Sequence, residues 1–172
     1  MSDVRNFMLQ KIETENEAIK FIRRVKFALR YNSTPALPLA SMYAAAHDQR
    51  RAIELTNALL ARDEVIETNI IGDRLVLVHR DVVPALYVLR TRFRPVRLSD
   101  HAEKAFRLIS EEGTATSGDI RRSLGVDGMK RPDPADTALG DLQREILIDR
   151  GASTVPRNGI PYLSKEGFPY HV

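Results

Sequence analysis

The chain has 172 residues, 43% of them hydrophobic, and carries 26 Lys and Arg against 23 Asp and Glu for a formal charge of +3. That length holds one large domain or two small ones, and that apolar fraction excludes a disordered chain. The absence of cysteine excludes disulfides, thiol catalysis and cysteine-ligated zinc. A charge of +3 does not by itself imply nucleic acid, so the placement of the cations has to decide. No apolar run approaches the length of a membrane span, and Met1 to Arg5 leads into no apolar segment. Neither a membrane span nor a signal peptide is therefore expected, and the expected location is the cytoplasm.

The segment from Asn16 to Tyr31 predicts an amphipathic helix, with Ala18, Phe21, Ile22, Val25, Ala28 and Leu29 at helical spacing. Lys20, Arg23, Arg24, Lys26 and Arg30 fill its other positions with no acid among them. Asn32 to Pro38 reads as a linker, and a short helix follows over Leu39 to His47. A third helix is expected over Gln49 to Arg62, burying Ala52, Ile53, Leu55, Leu59 and Leu60. The period then becomes strand-like in Val65 to Ile71 and Arg74 to His79, with Gly72-Asp73 suiting a type II′ hairpin turn. Asp81 is placed to cap a helix reaching Arg92, with Pro84 in its first turn.

The same order is then expected again. Ser99 or Asp100 caps a helix running to Glu112, with Ala102, Ala105, Phe106 and Ile109 inward and Gly113 at its end. Thr116 or Ser117 starts a short helix that Gly125 stops after Leu124. Asp133-Pro134 opens a third helix with Ala138, Leu139, Leu142 and Ile146 inward. Strands are expected at Ala152 to Val155 and Ile160 to Leu163 around an Asn158-Gly159 turn, and a last strand within Phe168 to Val172. Helices followed by a hairpin are the parts of a winged helix, a helix-turn-helix with a β-hairpin wing. The expected fold is thus α+β and mostly helical, with tandem winged-helix units over residues 1–93 and 98–172. If that reading fails, the two units share one core.

Three stretches resemble the short winged-helix proteins related to the AlkZ-like bacterial crosslink DNA glycosylases. Leu37-Pro38-Leu39-Ala40-Ser41-Met42-Tyr43 looks like that family's Pro-x-x-Ser-hydrophobic-aromatic element. Ile53 to Leu89, with Val82-Val83-Pro84, looks like its helix, hairpin and helix. Ala102 to Asp149, with Arg121-Arg122-Ser123-Leu124-Gly125 and Leu139-Gly140-Asp141-Leu142-Gln143, looks like its C-terminal helix-turn-helix. The resemblance implies tandem winged helices that cradle duplex DNA. The catalytic members carry a Gln-x-Gln type motif, whereas Gln10, Gln49 and Gln143 stand isolated here. A glycosylase would need its catalytic residue elsewhere, and the expectation is a protein without enzymatic activity.

The residues expected to meet DNA follow from charge and position. Lys20, Arg23, Arg24 and Arg30 form a cationic helix face suited to phosphates. Gln49, Arg50 and Arg51 open the third helix, where a recognition helix presents side chains to base edges. Arg92, Arg94 and Arg97, with Arg90, make a basic connector between the units. In the second unit Arg121, Arg122, Lys130, Arg131 and the wing residue Arg157 are the candidates. The helix over residues 133–146 carries Asp133, Asp136, Asp141 and Glu145 against Arg144, which repels phosphates. Its first acids suit helix capping, and the rest suit self-association or a basic protein partner. This second role, assembly without DNA, is the alternative to DNA binding. No histidine spacing fits a metal site, and no cofactor is expected.

Overall fold

A computed structural model describes residues 11–72, 74–93, 95–152 and 168–172. The fold is α+β, and its elements fall into two sets of the same order. The first set is α1 (Glu15–Val25), β1 (Phe27–Leu29), α2 (Met42–Ala45), α3 (Gln49–Leu60), β2 (Val65–Ile71) and β3 (Arg74–His79). A 3₁₀ turn (Arg80–Val82) and α4 (Val83–Phe93) follow. The second set is α5 (Asp100–Glu112), β4 (Ala115–Thr116), α6 (Ser117–Leu124), α7 (Pro134–Arg144), β5 (Asp149–Arg150) and β6 (Pro169–His171). Each set closes a three-stranded antiparallel sheet with its last strand in the middle, β1-β3-β2 and β4-β6-β5.

Capping chemistry sets most helix starts. Thr14 and Glu17 form a capping box on α1, as do Thr116 and Asp119 on α6 and Asp133 and Asp136 on α7, where Pro134 occupies the first turn. Ser99 caps α5 through the Ala102 amide, and Asp48 caps α3 through the Arg51 amide at 2.8 Å. Gly113 and Gly125 end α5 and α6 with φ of +73° and +69°, the left-handed geometry that glycine adopts without a Cβ clash.

The first helix departs from expectation. It stops at Val25, Lys26 turns the chain at φ +63°, and Phe27 to Leu29 form β1. Phe27, Ala28 and Leu29 lie opposite Val78, Leu77 and Val76 of β3. A short apolar run fits a helical and a strand period equally well, so the open edge of β3 decides the outcome. The short helix is likewise confined to Met42–Ala45, because Ser41 caps it by accepting from the Ala44 amide at 3.2 Å. A strand forms at Asp149–Arg150, whereas Ser153 to Val155 of the expected strand at Ala152 to Val155, the Asn158-Gly159 turn and the expected strand at Ile160 to Leu163 lie outside the described residues.

Two apolar clusters belong to the two sets. One gathers Ile19, Phe21, Ile22, Met42, Leu55, Leu59 and Leu77 between α1, α3 and the first sheet. The other gathers Ala105, Ile109, Ile120, Leu139, Leu142 and Tyr170 between α5, α6, α7 and the second sheet. A third cluster, Leu29, Ile66, Val76 and Val78, lies on the other face of the first sheet under Val83 and Leu86 of α4. Ile146, at φ +57° just past α7, packs into this third cluster. A β-branched residue rarely adopts that conformation, so its burial against the first set offsets local backbone strain.

The two sets meet along β2, an edge strand of the first sheet, which lies against α7 and β5. Glu67 on β2 is fully buried and pairs with Arg30 at 2.9 Å and with Arg150 of β5. Removing one partner of a buried ion cluster leaves uncompensated charge out of water. Glu67→Ala is therefore expected to cost about 3–5 kcal/mol in urea unfolding. Glu54→Ala, which breaks exposed pairs with Arg50 and Arg51, is expected to cost at most about 1 kcal/mol. Equal losses in the two variants would show that the buried cluster does not hold the sets together.

Candidate functional site

The structure separates the expected DNA-contacting cations into buried, paired and exposed groups. Arg30 is 2% exposed and bound to Glu67, and Arg121 is 6% exposed and bound to Asp133 at 2.8 Å and to Asp136. Neither reaches a phosphate, which corrects the expectation for both. Arg30 follows β1 and runs along the sheet toward β2, while Arg121 ties α6 to the start of α7. Such burial is enforced by the carboxylates waiting there.

The cationic face of α1 meets acids from distant segments. Arg23 donates to Glu64 at 2.8 Å and Lys26 to Asp81 at 2.5 Å, so the face is balanced from outside the helix. At the start of α3, Arg51 donates to the Glu13 carbonyl at 2.7 Å and to Glu54 at 2.9 Å, and Arg50 pairs with Glu54 at 3.2 Å. Gln49 donates to the Tyr43 hydroxyl at 3.3 Å. Thr56, further along α3, is fully buried. In the second set Arg122 pairs with Asp119 at 2.6 Å and Arg131 with Asp136 at 2.8 Å. Lys20, Arg24, Arg92, Arg97 and Lys130 are exposed. Arg94 and Arg157 lie outside the described residues.

The acids of α7 do not form a free acidic face. Asp133 and Asp136 cap the helix as expected and also hold Arg121 and Arg131. Asp141 pairs with Arg144 at 2.5 Å, and Glu145 takes a two-pronged contact from Arg90 of α4, at 2.8 and 3.1 Å. The fork geometry suits a carboxylate, and it fastens the helix after the first sheet to the second set. The pairs leave α7 with less unpaired negative charge than its count of acids implies.

Sequence reasoning missed the polar seam along β2. The Glu67 amide donates to the Asp149 carboxylate at 3.0 Å, and the Glu67 carbonyl accepts from the Gln143 side chain at 3.0 Å. The Thr68 hydroxyl donates to the Gln143 carbonyl. An edge strand's unpaired backbone groups are thus satisfied by side chains of the second set. Next to this seam lies a cleft of about 240 Å³ lined by Asn69, Ser117, Arg131, Gly140, Arg150 and Tyr170, among others. Burial and the nearby Arg30 charge pull the Arg150 guanidinium down to about 10. The sequence signal for the seam was the polar run Glu67-Thr68-Asn69 inside a strand whose other residues are Val and Ile.

A second missed feature is apolar. Tyr87, Val88 and Leu89 of α4 are 42%, 58% and 56% exposed, beside a groove formed by Phe27, Leu39, Ile70, Ile71 and Leu86. From Val82 to Leu98 the chain contains no acid and four arginines, Arg90, Arg92, Arg94 and Arg97. Among the described residues no cluster of His, Asp and Glu has the arrangement of a metal site. No helix in this region is long and apolar enough to cross a membrane. No family model, curated protein or solved structure matches the chain.

Burial pushes the Asp149 carboxyl up to about 6 against the opposing pull of Arg80 and His171. An unfolded aspartate titrates near 3.9, so between about pH 4 and pH 6 the folded chain binds the extra proton. Stability arising from this group therefore falls as pH rises through that window, and the penalty is complete above about pH 6. Asp149→Asn keeps an oxygen for the Glu67 amide and removes the charge. The variant is expected to gain about 1–3 kcal/mol on the parent between pH 4 and pH 7.5, measured as the difference of their urea-unfolding free energies. A constant difference across that range would remove Asp149 as the titrating group.

Proposed function

We propose that the chain is a non-enzymatic pair of winged-helix units that works by docking a protein partner on α4 and the connector behind it. The repeated order of helix, strand, helix, helix, strand, strand, with the last strand central in each sheet, supports the winged-helix assignment. The single observation that carries the partner reading is the exposed Tyr87, Val88 and Leu89 on a segment free of acids. Exposed aromatic and aliphatic side chains beside an apolar groove are features of interaction sites. The exposed Arg97 in the connector favours a partner whose apolar patch is bordered by a carboxylate.

The internal pairing of the arginines weighs in the same direction. Seven cations proposed from sequence for DNA, Arg23, Arg30, Arg50, Arg51, Arg121, Arg122 and Arg131, each face a carboxylate within the chain. Duplex binding remains the second reading, favoured by the exposed Gln49 and Arg50 at the start of α3 together with the exposed Arg97. It would be dominated by phosphates and would fall steeply with salt.

Two measurements divide these readings. With a photo-crosslinking residue in place of Val88, one specific protein carrying an acid-bordered apolar surface is expected to be captured in the source cells. The same residue at exposed Lys104 on α5 is expected to capture nothing, and Leu89→Asp is expected to abolish capture from position 88. In parallel, anisotropy of a short random duplex is expected to stay flat at low salt. Micromolar binding with a steep negative salt slope, and no capture from position 88, would overturn the protein-docking reading in favour of DNA.

A further inference from the structure

A second cavity, of about 710 Å³, opens where the end of α3 and the start of α4 meet the chain from Ile146 to Ala152 and β6. Both sets of elements therefore build it. Its size falls within the roughly 300–1,000 Å³ of small-molecule sites, which favour such junctions and pair apolar walls with a few polar groups. Here Leu60, Val83, Ile146, Leu147 and Ile148 supply the apolar lining. The titratable side chains of the lining are Arg62, Asp63, Arg80, Asp149 and His171.

Asp149 gives this lining its direction. Its side chain is 22% exposed, so the carboxylate is open to the cavity and not sealed in the seam. One oxygen accepts from the Glu67 amide at 3.0 Å. The other meets Arg80 at 3.5 Å, longer than a charge-assisted hydrogen bond. Arg80 is itself 56% exposed, and its Nε donates to the Asp63 carbonyl, so water and a second acceptor share it. The carboxyl is held up at about 6 because burial outweighs Arg80, His171 and the Arg150 backbone together, which is the same shortfall of positive charge. Asp63, exposed at the rim, adds a second carboxylate, and Arg62 faces Glu15 at 3.6 Å. Among the described residues, the two lining carboxylates have Arg80 as their one ion-pair partner. A cation entering the cavity would meet the compensation that Asp149 lacks.

We propose that this cavity binds a small organic amine, with its charged nitrogen on the Asp149 carboxylate and its apolar body against Val83, Ile146 and Leu147. Because Asp149 belongs to β5 and Val83 to α4, the ligand joins the two sets and stabilises their packing. The assignment is independent of what docks on the exposed face of α4.

The test uses the full chain at about pH 7.5, where the carboxylate is charged, and probes that share an indole body. Tryptamine carries an ammonium, tryptophol a hydroxyl and indole-3-acetate a carboxylate. Tryptamine is expected to raise the unfolding temperature saturably, with calorimetry giving a Kd of about 1 mM or tighter. Tryptophol and indole-3-acetate are expected to bind at least about tenfold more weakly. Two variants localise the charge. Asp149→Asn removes it at nearly unchanged size, and the variant is expected to fold, to exceed the parent in stability and yet to bind tryptamine at least about tenfold more weakly. Asp63→Lys puts a cation on the exposed rim without breaking an ion pair among the described residues, and is expected to weaken tryptamine about threefold or more. Parent-like circular dichroism spectra check that both variants fold. Absence of a saturable shift, equal affinity for all the probes, or unchanged tryptamine affinity in either folded variant would overturn the proposal. Tighter binding of indole-3-acetate than of tryptamine would overturn it in favour of an anion held by Arg80.

Discussion

Glu67 is the residue on which the rest of the arrangement depends, because every polar group it owns is out of water and is satisfied by residues from other segments. Its carboxylate takes Arg30 from the end of β1 and Arg150 from β5, its amide takes Asp149, and its carbonyl takes Gln143 from α7. A carboxylate buried among apolar strands is tolerated only when paired, and an edge strand is protected only when its backbone is covered. The second set covers the backbone of β2, and the carboxylate is paired by Arg30 of the first set and Arg150 of the second. The pairing of the two sets is therefore a consequence of β2 being an edge strand with a charge in it. Hydrophobic contact alone, with Ile146 reaching into the third cluster, would specify the relative placement less sharply.

The same logic explains where the arginines go. This chain uses Arg as its internal fastener: Arg90 to Glu145, Arg121 to the α7 cap, Arg150 to Glu67. A planar guanidinium is always charged and meets a carboxylate through two bonds, which suits half-buried joints between elements better than a lysine does. The consequence for function is direct. Cations committed to joints are not available as a phosphate-tracking surface, and the exposed pairs on α1 and α3 dilute the field a duplex would encounter.

What remains on the outside is uneven. α4 seals the outer face of the first sheet with Val83 and Leu86, yet turns Tyr87, Val88 and Leu89 to solvent. Arg90 anchors this helix to Glu145, so the apolar side chains are presented on a support fixed to both sets. Rigid presentation of aromatic and aliphatic side chains lowers the entropy lost on docking.

Much of the fold is legible in the sequence because capping and turn chemistry are local. Asp133-Pro134, Ser99, Thr116, Gly113 and Gly125 mark their helix ends in the residues themselves, and the Val65–Ile71 and Arg74–His79 hairpin follows from alternation around a glycine. Strands β1 and β4 were not legible. Three or two residues carry too little period to reveal a strand, and only an available partner edge on β3 or β6 makes them one. The candidate site divides the same way. Sequence identifies which residues are charged, and hence that Lys20 to Arg30 and Arg90 to Arg97 are cationic stretches. Whether a cation faces water or a carboxylate depends on residues tens of positions away, such as Glu64 for Arg23, Glu67 for Arg30 and Asp133 for Arg121. Charge is a property of the residue, whereas its neutralisation is a property of the packing, and only the tertiary structure brings the partners together.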